Sequence, residues 1–211
     1  MKLTILCLLT LMTAAMMSGC QAQSSNESAY LADASATEQL QNDTVNASAP
    51  LALSDMLELM AYENAENGFS MAYPADWTAQ DAGTNDQGMV AGFLAPGEDM
   101  NNPVTYLLVQ IEALPSGQSV TLEQYSQAVI NYLKDVAPTI KILTEGDISI
   151  AGHSGHAIVY NLESDNAAFR VLKAWTLIGD KAYAFTYNAP DDRYEEFAGD
   201  ISKMIASLKV N

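Results

Sequence analysis

The chain has 211 residues and a formal net charge of −17, with 26 acidic against 9 basic side chains. Phosphate binding needs clustered Lys and Arg, so nucleic acid is excluded as a partner, and anionic headgroups would repel this surface. Both cysteines, Cys7 and Cys20, stand near the start, which excludes disulfides, thiol catalysis and cysteine metal sites from everything that follows.

The first residues read as an export signal. Met1-Lys2 supplies a positive n-region, Leu3 to Met17 an apolar stretch, and Met17-Ser18-Gly19-Cys20 has the form of a bacterial lipobox. A membrane-spanning helix takes roughly 20 apolar residues, more than this run offers. The expectation is removal of residues 1–19 and lipidation of Cys20, holding the chain by acyl groups at the extracytoplasmic face of a bacterial inner or outer membrane. Residues 20–52 are then a flexible tether: Ser, Ala, Asn, Gln and Thr with isolated acids cannot bury enough surface to offset ordering. As a random coil such a segment reaches on the order of 30 Å. Residues 53–211 remain for one domain, and its charge is lopsided, because after Lys2 the next basic residue is Lys134.

Order begins with residues 57 to 62, apolar enough for a short helix or a first strand, and periodicity does not choose between them. Asn67-Gly68 signals a turn, Phe69 to Tyr73 alternates as a strand, and Pro74 ends it. Met89 to Leu94 and Val104 to Leu114 are further strands, each stopped by a proline. Thr121 with Gln124 forms a capping box, and Tyr125, Val129, Leu133 and Val136 make one helical stripe before Pro138. Asp147 to Ala151 is expected to pair with His156 to Leu162, and Phe169 to Ile178 to turn through Gly179-Asp180 into Lys181 to Asn188. That turn sets Ala174 opposite Phe185, Thr176 opposite Tyr183 and Trp175 opposite Ala184, a strand pair buried on both sides. A last helix, capped by Asp192 with Glu195, carries Phe197, Ile201, Met204, Ile205 and Leu208 on one stripe. The fold class predicted is α+β: an antiparallel sheet of about six strands sandwiched between helices.

Gly68-Phe69-Ser70, then Tyr73-Pro74-Ala75-Asp76-Trp77, then Gly152 and Gly155-His156-Ala157, then Ser207-Leu208-Lys209, occur in an order that resembles the PsbP-like family of the Mog1/PsbP fold. The likeness runs from about residue 57 to residue 209. It implies an α-β-α sandwich and a non-catalytic, partner-binding habit, in a family of extrinsic photosystem subunits and many bacterial lipoproteins. The photosystem members lean on basic patches that this chain lacks before Lys134.

No catalytic set emerges: Gly-x-Ser-x-Gly, the P-loop and the dinucleotide fingerprint are all missing from the sequence. The candidate metal ligands are His153 and His156. If Ser154-Gly155 made a hairpin turn, their imidazoles would be cross-strand neighbours about 5 Å apart at Cβ, with Asp147 as a further donor. Otherwise they are solvated turn histidines, since zinc sites take at least three protein ligands. Asp81, Asp86, Glu98 and Asp99, with Asn85, Asn101 and Asn102, form two acidic loops without the EF-hand spacing. Asp191, Asp192, Glu195 and Glu196 suit a helix N-terminus, where acids complement the dipole. The function expected is a non-enzymatic protein-binding or assembly factor on a lipid anchor at Cys20; the alternative is a lipoprotein that binds a divalent metal or small ligand.

Overall fold

The computed structural model describes residues 58–83, 88–117, 119–164 and 167–211. The signal segment, Cys20 and the tether lie outside these residues. In chain order the elements are β1 (Leu59–Asn64), β2 (Phe69–Pro74), β3 (Thr78–Asp81), β4 (Met89–Leu94), β5 (Tyr106–Ala113), α1 (Leu122–Val136), β6 (Lys141–Ile150), β7 (His153–Ser164), β8 (Ala167–Ile178), β9 (Lys181–Pro190), α2 (Tyr194–Ala206) and β10 (Lys209–Val210). Seven strands form one antiparallel sheet in the order β3-β4-β5-β9-β8-β7-β6, and β1-β2-β10 form a small second sheet. Among the described residues no helix is long and apolar enough to cross a membrane.

The large sheet is covered on both faces, as its strand pattern demands. One face meets α1 through Tyr125, Val129, Ile130 and Leu133, which close over Ile158, Val171 and Trp175. The other meets α2 and the small sheet, where Phe197, Ile201 and Met204 join Phe69, Met71, Phe93, Phe185 and Tyr187. Burying each such large side chain contributes about 1.5–3 kcal/mol. The β8–β9 register sets Ala174 against Phe185, Trp175 against Ala184 and Thr176 against Tyr183, as the hairpin spacing predicts. Trp77 and Trp175 are 4% and 0% exposed, and Trp77 meets Phe197 edge-on at 5.5 Å.

Local signals account for most boundaries. Gly68, at φ 69°, turns the chain so that residues 59–64 fold back on β2 as a strand, which resolves the helix-or-strand ambiguity. Thr121 caps α1 by accepting from the Gln124 N–H while the Gln124 side chain accepts from the Thr121 N–H. At α2 the expected Asp192 cap is replaced: the helix starts at Tyr194, its N-cap is Arg193, and no side chain caps it. The carboxylates of Asp191 and Glu195 instead hold Arg170. The sheet also differs from expectation at its ends, since β3 and β10 are short and β6 begins at Lys141 instead of Asp147.

Candidate functional site

The two histidines do not converge. The β6–β7 turn is Ala151-Gly152, with φ of 51° and 77°, so the chain reverses before His153 and both histidines fall on β7. Three residues apart on a strand, they point to opposite faces. Gly155, which reads as a turn residue, lies inside the ladder for want of room: a Cβ there would stand 2.7 Å from the Trp175 carbonyl oxygen and 3.2 Å from Ile150 Cδ1. His153 pairs with Ile150 and is exposed, whereas His156 pairs with Asp147 on the α1 face. Among the described residues there is no group of three or more His, Cys, Asp or Glu side chains placed to hold a metal ion.

What the register does assemble around His156 is a charge cluster. Its Nδ1 is 2.8 Å from Asp147 Oδ1, its Nε2 is 3.3 Å from Glu145 Oε1, and its ring lies 5.4 Å from that of Trp175. Carboxylate oxygens only accept, so the imidazolium is the form that donates to both. Asp147 was the carboxylate expected to join the histidines, and it does meet one of them. The sequence does not point to Glu145, because its apolar pattern starts the strand at Asp147 and the structure starts it at Lys141.

A second polar group sits on the same face. Lys173, 3% exposed, donates to Thr186 Oγ1 at 3.0 Å and to Gln110 Oε1 at 3.5 Å. Tyr125 of α1 donates to Glu112 Oε2 at 3.1 Å. Burial pushes the Glu112 carboxyl above its ordinary range, against the opposing pull of that bond and of the Lys173 charge. Between these two polar groups, Trp175 Nε1 donates to Ser126 Oγ at 2.8 Å, pinning α1 to the sheet. A lysine inside an alternating strand gives no signal in sequence beyond its period: it occupies the place of a core residue on the Val171–Trp175 face.

The described acids of the two loops have partners within the domain. Glu98 accepts from the Val104 N–H at 2.7 Å and from Arg193 at 3.2 Å. Burial drives its carboxyl up, but the Val104 and Thr105 donors and the Arg193 charge outweigh that and hold it below the ordinary range. Asp99 accepts from the N–H and Nδ2 of Asn101, and Asp81 accepts from the Tyr62 hydroxyl. Asn85 and Asp86 lie outside the described residues. Around α2, Arg170 holds Asp191 and Glu195 and lies 5.1 Å above the Tyr194 ring, while Arg193 holds Glu98 and Glu196 and lies 5.4 Å from the Phe197 ring. These carboxylates shape a loop and a helix start.

Apolar side chains do reach solvent along β1 and β6, which end their sheets among the described residues. Leu59 and Met60 on β1 are 56% and 47% exposed, and Leu143 and Ile148 on β6 are 46% and 37% exposed.

An antiparallel sheet with one helix on one face, and a helix plus a small sheet on the other, defines the α-β-α architecture of Mog1/PsbP-type domains. The chain belongs to the PsbP family, whose model matches residues 58–210. Among solved structures it is similar to the cyanobacterial PsbP protein CyanoP of Synechocystis sp. PCC 6803, at 18% identity and a TM-score of 0.55, covering 74% of this chain and 94% of that one. It is also similar to LpqN of Mycobacterium tuberculosis, a protein involved in cell envelope biogenesis, at 11% identity and a TM-score of 0.54, covering 75% and 94%. The Ran-binding protein Mog1p of Saccharomyces cerevisiae aligns at 11% identity and a TM-score of 0.49, covering 73% and 96%. At these identities the likeness is one of fold. No curated protein matches the chain in sequence.

Proposed function

We propose that this PsbP-family protein is an extracytoplasmic lipoprotein, held to a bacterial membrane through Cys20, and that its domain is a non-enzymatic protein-binding or assembly factor. The observation that carries the binding reading is the exposure of Leu59, Met60, Leu143 and Ile148 on strands whose outer edges are paired by no other strand among the described residues. Apolar side chains beside unpaired backbone are what a partner covers. The anchor reading rests on Met17-Ser18-Gly19-Cys20.

The test is made in the native membrane fraction. Mass spectrometry of the purified protein should find an acylated N-terminal Cys20, and Cys20→Ala should abolish processing and membrane retention; an unmodified mature chain beginning at Gln23 would overturn the anchor. Cross-linking in cells should then trap a defined partner on the folded domain, and a domain that cross-links to nothing above background would overturn the binding role.

A further inference from the structure

We infer that the outer edge of β6 is a strand-addition site, and that its occupant is an extended basic strand of a partner protein in which Lys or Arg alternates with apolar residues. The inference rests on the binding role proposed above and gives it a surface and a partner chemistry.

β6 terminates the seven-stranded sheet with β7 on one side, and among the described residues no strand pairs with the other. Every residue from 143 to 149 is exposed. An edge of this length offers a row of unpaired N–H and C=O groups to another chain. Folded proteins blunt such edges by shortening them, by bulges, or by placing proline or charge along them, which repels a partner of like charge but not one of opposite charge. The opposite edge, β3, is only four residues long. β6 has ten residues and no proline, with its one lysine at the first position and its bulge confined to the step between Ile142 and Thr144. The run from Thr144 to Ile150 is therefore regular and open.

Side-chain alternation then selects the occupant. Glu145 and Asp147 stand on the face shared with His156, and their side chains remain 47% and 89% exposed while they bond it. Thr144, Gly146 and Ile148 stand on the opposite face. An added strand places its own alternate residues beside these two rows, so cations on one face and apolar residues on the other complement both. A second copy of the chain is disfavoured on the same ground. Antiparallel self-pairing centred on Gly146 sets Glu145 directly against Asp147 twice, and centring on Glu145 or Asp147 sets like carboxylates together, where directly opposed like charges destabilise. A net charge of −17 adds repulsion between copies.

The full chain, purified in detergent, is titrated with a labelled Lys-Val alternating heptapeptide, its Glu-Val counterpart, and the Lys-Val peptide N-methylated on alternate residues so that its pairing edge cannot donate. The Lys-Val peptide should bind at least about tenfold more tightly than the Glu-Val one, should slow amide exchange selectively in residues 144–150, and should lose binding on N-methylation. Glu145→Gln/Asp147→Gln should weaken binding, and Glu145→Lys/Asp147→Lys should reverse the preference, each in protein shown by circular dichroism to be folded. Lys-Val binding that survives N-methylation, or that leaves the β6 amides unprotected, overturns the site as non-specific charge attraction. Self-association that protects β6 overturns the choice of occupant. A native partner cross-linked through Leu59 and Met60 with β6 left open overturns this edge while leaving the binding role standing.

Discussion

Towards α2 and the small sheet, the large sheet presents Phe93, Val109, Phe185 and Tyr187, and what meets them is apolar too. Towards α1 it presents Ile158, Val171 and Trp175 with Lys173 in the same strand and Glu112 and His156 nearby. The first face is closed chiefly by volume, with the Tyr187 hydroxyl donating to the Tyr194 carbonyl oxygen and Ser207 accepting from the Ala72 N–H at its margins. The second is closed by volume and by bonds between polar groups, among them Trp175 to Ser126 and Tyr125 to Glu112. Groups buried with their partners are costly to orphan, so variants on the α1 face should alter protonation and hydrogen bonding as well as stability. Those at the apolar positions of the α2 face, such as Phe185 or Ile201, should act through stability.

The largest effects test that contrast directly. Trp77→Ala and Trp175→Ala should each cost about 3–5 kcal/mol in denaturant unfolding, as deletion of a buried large aromatic does. The faces separate on a milder change. Trp175→Phe keeps most of the ring but strands Ser126 Oγ, adding about 1–3 kcal/mol, and Ser126→Ala in that background should recover part of the loss. A Trp77→Ala protein as stable as wild type would return Trp77 to the surface and break the comparison.

Next in size is a pair of glycines on neighbouring strands. Gly155→Ala drives a Cβ to 2.7 Å from the Trp175 carbonyl, a backbone atom that cannot step aside, whereas a Cβ at Gly146 meets nothing within 4 Å. Gly155→Ala should cost roughly 1–3 kcal/mol. Gly146→Ala should stay within about 0.5 kcal/mol of wild type, as open surface positions do. Equal costs would show that strand geometry, and not the close approach of β8, sets the price of a side chain there.

High pH tests both faces at once. Burial, with the Asp81 hydrogen bond second, pushes the Tyr62 phenol up to about 12; burial, with Glu195 second, does the same to Tyr194 on the same face. On the α1 face burial, with Tyr106 second, takes Tyr160 to about 12. A phenol whose folded value is raised contributes stability that is fully present below its unfolded value near 10.0 and is lost as pH rises through the folded value. Thermal midpoints should therefore fall between about pH 10 and 12, in step with tyrosinate absorbance. Tyr62→Phe and Tyr160→Phe should each remove part of that fall. A midpoint flat to pH 12 would contradict the burial of these rings.

Much of this was legible in the chain. The β8–β9 register followed from a two-residue turn at Gly179-Asp180, and the α1 start from Thr121 and Gln124, because each is decided by residues within a few positions. The His156 cluster was half legible. Asp147 stands in the pattern, but the sequence suggests a turn near Ser154-Gly155 where Ala151-Gly152 makes it, and a shift of turn position moves every cross-strand partner. Gly155 misled because a glycine excluded for space and a glycine needed for a turn look alike in sequence; the Trp175 carbonyl that excludes a Cβ is twenty residues away. Lys173 was unreadable for a related reason, since its burial depends on how the α1 face closes over β8 and β9.

The smallest effect separates the two helices that cover these faces. Both carry acids in the first turn, and both had a cap to expect in sequence, yet only α1 has one. Thr121→Ala removes an acceptor from the Gln124 N–H, and frees the Gln124 side chain's hold on the Thr121 N–H, so it should cost about 1 kcal/mol, within the range for lost N-caps. Asp192→Ala should cost less than about 0.5 kcal/mol, because α2 begins two residues later and is fastened instead by the Arg170 and Arg193 networks. Raising the salt concentration should leave the Thr121→Ala loss unchanged, because that cap is neutral, and should shrink what Asp192→Ala costs, because an uncapped Asp192 acts on α2 only through its screened charge near the helix start. Unfolding of the two variants in low and high salt decides it: an Asp192→Ala loss as large as that of Thr121→Ala, and insensitive to salt, would mean that α2 is capped by its aspartate after all.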